Sequence, residues 1–254
     1  MAFNARKIIA ASLILLTAGA AISPAYALDA KQKQEIGDFI KEYLVANPEI
    51  LLEAQKALKQ KQTDEQSAQA QAAITDNEKA IFQSPYDVTL GNPKGDVTIV
   101  EFYDYNCGYC KRALSDMETI LEKDKNVRFV LKELPILGPD SMAAHKVSTA
   151  FRAIAPEKYG DFHRALLGGE DRANEETAMA VATGLGVPEA DLRKKMAENT
   201  QDDAVKEVYT LANDLGITGT PSYVIGKEAV YGAVGAEEIE AKVNNVRACG
   251  KTAC

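Results

Sequence analysis

Cys107 and Cys110 are separated by Gly108 and Tyr109, directly after the apolar run Val97-Thr98-Ile99-Val100-Glu101-Phe102-Tyr103. A cysteine attacks as its thiolate, so it needs a lowered pKa to react at neutral pH. The N-terminus of a helix supplies this by stabilising negative charge. Two intervening residues bring the second sulfur within one helical turn of the first, so a disulfide can open and close with little backbone movement. The spacing therefore favours thiol–disulfide exchange. Metal binding fits less well. His145 and His163 have no matching ligand at metal spacing and read as surface or helix-packing residues. A four-cysteine site from Cys107, Cys110, Cys249 and Cys254 would need the tail to fold over the active helix, and no metal is expected.

The elements around the pair must place Cys107 at a helix start. Val97 to Tyr103 reads as a buried strand, and Cys107 opens a helix to about Lys123 with Leu114, Met117, Ile120 and Leu121 inward. Val127 to Leu134 alternates as the next strand, and this β-α-β order predicts a parallel pair with a right-handed crossover. Asp87 to Leu90 is a short strand candidate ahead of the turn Gly91-Asn92-Pro93-Lys94-Gly95-Asp96. Helical sequence then runs over about 137–215, broken at Ala155-Pro156, Gly168-Gly169, Gly184 and Val187-Pro188. Tyr223 to Gly226 and Ala229 to Gly232 predict a hairpin turning at Lys227-Glu228, and Ala236 to Arg247 a closing helix.

These features together resemble the thioredoxin fold in its DsbA-like branch of periplasmic oxidoreductases, over about residues 85–247. The resemblance rests on Glu101-Phe102-Tyr103-Asp104-Tyr105-Asn106-Cys107-Gly108-Tyr109-Cys110, on Gly219-Thr220-Pro221 before a strand, and on the helical insertion. It implies an α/β fold with Cys107 as the attacking thiolate and Cys110 as the resolving thiol. Gly108 and Tyr109 would tune the potential and, with Thr220 and Pro221, bind substrate. Pro221 would be a cis-proline, with the backbone of Thr220 pairing with a substrate polypeptide. Glu101 would be a buried acid that moves protons to and from Cys110, a role suited by the raised pKa of a buried carboxylate. No cofactor beyond the redox-active disulfide is expected. Cu(I) on the two soft thiolates is the alternative, and the chain lacks methionine–histidine clusters. Cys249 and Cys254 lie outside the basic family pattern. Their spacing suggests a small structural disulfide, with an intermolecular link or a redox-active tail as the other readings.

The ends of the chain bear on where and with what it works. Arg6 and Lys7, the apolar stretch Ile8 to Ile22 and Ala25-Tyr26-Ala27 read as a signal peptide over residues 1–27. Export would put the protein in the periplasm, where disulfides persist. The formal charge of −8 becomes about −10 without that segment, which argues against nucleic acid and anionic lipid as partners.

Residues 28–83 read as a helical segment and linker. Ile36, Phe39, Ile40, Tyr43 and Leu44 share one helical face, and Asn47-Pro48-Glu49 reads as the N-cap and start of a second helix. After Leu58 the apolar stripe thins to alanine. Two short amphipathic helices lack a core of their own, so the face must meet the main domain or a copy of itself, and self-association is favoured. The segment is similar to the amino-terminal extension of the suppressor-of-copper-sensitivity C (ScsC) group. That resemblance implies a homo-oligomer through residues 28–80, with a trimer favoured over a dimer. It also implies a disulfide isomerase acting on cysteine-containing secreted polypeptides and kept reduced by a membrane redox partner. A monomeric dithiol oxidase is the alternative. The expected layout is completed by a thioredoxin domain over 84–248 and a cysteine-containing tail over 249–254.

Overall fold

The structure, a computed structural model, describes residues 28–198 and 202–254. The expected signal peptide over 1–27 lies outside the described residues. The chain forms two compact units, one ending at Ala57 and the other running from Leu58 to Cys254.

In the first unit, α1 (Ala30–Ala46) opens on a capping box. Asp29 Oδ1 accepts from the Gln32 N–H at 2.8 Å, and the Gln32 side chain accepts from the Asp29 N–H at 3.1 Å. Asn47, expected to cap the next helix, instead closes this one: its side-chain amide donates to the Tyr43 carbonyl at 2.8 Å. The helix buries none of its residues. Ile36, Phe39, Ile40 and Tyr43 all stand in solvent, Phe39 at 65% exposure, and the Phe39 and Tyr43 rings stack at 5.9 Å. Helix α2 (Glu49–Asp76) follows Pro48.

The second unit is built on a five-stranded sheet of order β1-β3-β2-β4-β5, with β1 Val88–Gly91, β2 Val97–Tyr103, β3 Val127–Glu133, β4 Ser222–Ile225 and β5 Glu228–Tyr231. β2 and β3 are parallel, as the β-α-β order predicts, and every other pair is antiparallel. The hairpin turns at Gly226-Lys227, one residue earlier than expected, where Gly226 adopts a φ of 58°.

Alternation along β2 sorts the two sides of the sheet. Ile99 and Tyr103 face a core formed with α4 (Gly108–Lys123), α10 (Ala236–Cys249) and the insertion helices α5 (Pro139–Ile154), α6 (Tyr159–Gly168), α7 (Glu175–Gly184) and α8 (Glu189–Glu198). Val100 and Phe102 face a second core with Ile74 of α2, Ile81 of α3 (Glu78–Phe82) and the apolar stripe of α9 (Asp202–Asp214). A one-turn 3-10 segment, Pro156–Lys158, joins α5 to α6.

The compact unit therefore begins at Leu58, not near Ser84, because Ala70, Ile74 and Ile81 are buried in it. Lys132 shows how deep that side runs. It is 2% exposed and donates from Nζ to the Ala80 carbonyl and to Asp87, each at 2.7 Å.

Candidate active site

β2 delivers the chain to the active helix through a loop held at several points. Asp104 is fully buried and accepts from the Asn106 N–H at 2.8 Å, the Leu137 N–H at 2.9 Å and the Ser141 hydroxyl at 2.8 Å. Its own carbonyl accepts from the Cys107 N–H at 3.0 Å. Asn106 reaches across to the loop before α7, exchanging hydrogen bonds with the Ala173 backbone at 2.8 and 2.9 Å. Asp104 and Asn106 thus stitch the residues just before Cys107 to the insertion. Neither was expected to have a role. Apart from the Asn106 N–H on Asp104, the partners that tie them to the insertion lie 33 to 67 residues away, so no local pattern reveals them.

Cys107 is the N-cap of α4 and is 7% exposed; Cys110, one turn on, is completely buried. Both are free thiols. The Cys107 thiol is held down to about 5, first by hydrogen bonding from the Cys110 thiol, then by Thr220 and the N–H groups of Cys110 and Tyr109. As a thiol it donates to the Thr220 carbonyl at 3.0 Å. Ionisation removes that proton, and the Thr220 hydroxyl, buried and without a partner, is then a ready donor. Cys110 moves the other way. Its thiol is pushed far above the ordinary range because its proton serves Cys107 and because it is buried. The two thiols are thus set apart: Cys107 favours the thiolate and Cys110 keeps its proton.

The Thr220-Pro221 peptide bond is cis, and the Thr220 carbonyl lies against the Cys107 sulfur. Glu101 lies on the α4 side of the central strand β2, opposite Tyr223 of β4, and is 2% exposed. Burial raises its carboxyl to about 8, with smaller contributions from Asp116 and Cys107. It is not an edge-exposed acid. Gly108 and Tyr109 form the first turn, with Tyr109 59% exposed and the Arg112 guanidinium 4.7 Å above its ring. Lys111 donates to the Gly169 carbonyl, so these two basic residues are engaged rather than merely solvated. An open groove of about 520 Å³ runs beside the dithiol, walled by Tyr109, the Thr218–Ser222 loop and Tyr231.

The remaining candidates sit elsewhere. Cys249 and Cys254 are bonded to each other at the end of α10, where the Asn245 side chain donates to the Thr252 carbonyl at 2.9 Å. His145 and His163 are both buried packing residues. His163 lies edge-on to Tyr103 at 4.7 Å, and burial lowers its pKa to about 3. Among the described residues no group of three or more His, Cys, Asp or Glu side chains is placed to hold a metal, and no helix is long and apolar enough to cross a membrane.

Residues 98–244 match the DSBA-like thioredoxin domain. The chain belongs to that family. Residues 32–65 match a second family, the copper resistance protein ScsC N-terminal domain. The fold and dithiol are thus those of DsbA- and ScsC-type thiol–disulfide oxidoreductases. A thioredoxin-like oxidoreductase from Silicibacter pomeroyi DSS-3 is 37% identical, with a TM-score of 0.64 covering 68% of this chain and 99% of the other. Proteus mirabilis ScsC in a transitional conformation is 30% identical, with a TM-score of 0.63 over 87% and 98% of the two chains. The Bacillus subtilis (strain 168) disulfide bond formation protein D is 25% identical over 162 residues, 59% of this chain and 72% of that protein. The chain also matches the Na(+)/H(+) antiporter NhaA 3 of Salinispora tropica at 23% identity over 157 residues, 62% of this chain, and spans only 24% of that protein's length.

Proposed function

We propose that this chain is a periplasmic disulfide isomerase acting on misfolded secreted proteins. In this reading the Cys107 thiolate attacks a wrong disulfide, forming a mixed disulfide and expelling a substrate thiolate. A substrate thiolate then attacks the mixed disulfide, forming the correct substrate bond and freeing the Cys107 thiolate, or Cys110 releases the reduced substrate by closing the Cys107–Cys110 bond. A membrane redox partner returns the pair to the dithiol. The observation that carries the isomerase assignment is the exposed apolar face of α1, Ile36, Phe39, Ile40 and Tyr43. Such a face on a helix with no core of its own is covered by copies of itself. Several active sites then meet one substrate, and the ScsC match over residues 32–65 is consistent with self-association through this segment, which we take to be a trimer.

The experiment is recovery of a scrambled disulfide substrate by the mature chain and by a chain beginning at Leu58. That cut spares Ala70, Ile74 and Ile81, which a cut at residue 80 would strip from the core or leave at its end. Isomerisation is expected to collapse on truncation, with dithiol oxidation retained and the mass falling to that of a monomer. Equal isomerase activity in the two chains sinks the proposal.

The low pKa of Cys107 favours a second reading. Stabilising the reduced form makes the disulfide form oxidising, which suits a disulfide donor. A potential well above that of the periplasmic substrates, with the protein isolated oxidised, selects it. A copper role stands on two adjacent soft thiols. Stoichiometric Cu(I) binding that persists in the Cys107→Ser, Cys110→Ser double variant removes the dithiol as the copper site.

A further inference from the structure

Helix α2 lies outside the residues that match the catalytic family, 98–244, yet its second half reaches the groove beside the dithiol. Ala70 and Ile74 are buried, and Gln66 precedes them at the same spacing of four, so all three share one helical face. The face that seats the helix in the core thus runs on to carry Gln66 to the groove. Gln66 lines the groove with Tyr109, Thr220, Pro221 and Tyr231. A Cβ built on Gly216 at its floor would stand 3.4 Å from Gln66 Nε2. Tyr231, the neighbouring wall, donates to the Leu215 carbonyl at 2.8 Å and takes a hydrogen bond from the Gln66 side chain, which uses one of that amide's donors and leaves its carbonyl and second N–H for a ligand. The groove volume of about 520 Å³ falls within the range of binding pockets, roughly 300–1,000 Å³.

We propose that Gln66 is a substrate-binding residue, its side-chain amide pairing with the main chain of an extended polypeptide whose cysteine is engaged by Cys107. A primary amide offers both an acceptor and two donors, which matches the peptide group and is blind to side-chain sequence. That chemistry suits an enzyme that must accept many unfolded chains. The cis-proline loop and Tyr109 hold the peptide near the sulfur, and Gln66 holds it farther along the groove. The inference rests on the oxidoreductase reading above.

The test compares the parent with Gln66→Ala and Gln66→Arg in reduction of a ten-residue unstructured peptide that carries one internal disulfide, with excess reduced glutathione returning the Cys107–Cys110 disulfide to the dithiol. The Cys107 thiolate is titrated in parallel by its ultraviolet absorbance. Loss of one amide hydrogen bond predicts that Gln66→Ala raises KM about three- to tenfold with kcat unchanged. Gln66→Arg, whose longer side chain enters the groove, raises it further. The Cys107 pKa stays that of the parent in both variants. Unchanged KM in both variants overturns the proposal, as does a fall in kcat accompanied by a shift of the Cys107 pKa. A parent protein that exchanges with no peptide disulfide at all refutes instead the oxidoreductase reading on which the proposal stands.

Discussion

Reduced protein should owe part of its stability to the Cys107 thiolate, and that part should switch on with pH. The folded pKa is about 5, against 9.0 for an unperturbed thiol. A depressed pKa contributes stability that is fully present above the unfolded value and lost as pH falls through the folded one. At pH 7 the folded thiol is ionised over about two pH units of the gap, worth about 2.7 kcal/mol at roughly 1.36 kcal/mol per unit. Cys107 keeps some exposure to water, so screening by solvent brings this to about 1–2 kcal/mol. Cys110 adds nothing near neutrality, since it stays protonated in the fold and is almost wholly protonated when unfolded. Glu101 works against the trend. Its pKa is raised to about 8, so its contribution favours folding at low pH and fades as pH climbs.

The Cys107→Ser variant cancels most of that background. Urea unfolding of the two reduced proteins should coincide at pH 4. At pH 7 the parent midpoint should lie about 0.5–1 M higher, taking a slope of about 2 kcal/mol/M. Coincident midpoints from pH 4 to pH 8 would mean that Cys107 is no better stabilised as a thiolate in the fold than in the unfolded chain. The account of its reactivity would then fail.

Glu101→Gln should slow Cys110-driven release of a trapped mixed disulfide on the order of 10–100-fold above pH 8. It should also abolish the rise of that rate through pH 8, followed by mass spectrometry of quenched samples. Asp104→Ala leaves the Leu137 and Asn106 N–H groups and the Ser141 hydroxyl without their acceptor. It should cost about 3 kcal/mol or more in denaturant unfolding, and a loss under about 1 kcal/mol would show that these donors find other acceptors. Replacing Cys249 and Cys254 together by Ser should lower stability by about 2 kcal/mol, as expected for a six-residue loop. The Cys107 titration should stay unaltered; a shift there would show that the tail is coupled to the active site.

The catalytic half of the fold was legible because its signals are local. The apolar run of β2, the cysteine pair at the start of α4 and the alternation of β3 each declare an element within ten residues. Thr220-Pro221 could be placed at the site only through the family resemblance, since nothing in its own neighbourhood points to Cys107. What escaped is tertiary. Asp104 and Asn106 stand in plain view three and one residues before Cys107, but their meaning lies in Leu137, Ser141 and Ala173. The second half of α2 reads as a solvated helix because its buried side is made of Ala70 and Ile74 amid glutamines, and a small side chain gives little hydrophobic signal. Lys132 reads as a surface residue of an alternating strand; Asp87 and the Ala80 carbonyl are what make its burial tolerable.

Helices α1 and α7 begin on a side chain, Asp29 and Asn174, that accepts a hydrogen bond from the first turn. Helix α4 begins on Cys107, and in the thiol form no side chain caps it. A thiolate can serve as that cap; a disulfide sulfur, carrying no charge, is a poor one. Each turnover therefore alternately caps and uncaps the active helix. The electrons that reach Cys107 act as a reversible helix-terminating residue, and amide exchange in the first turn of α4 becomes a direct gauge of the redox state.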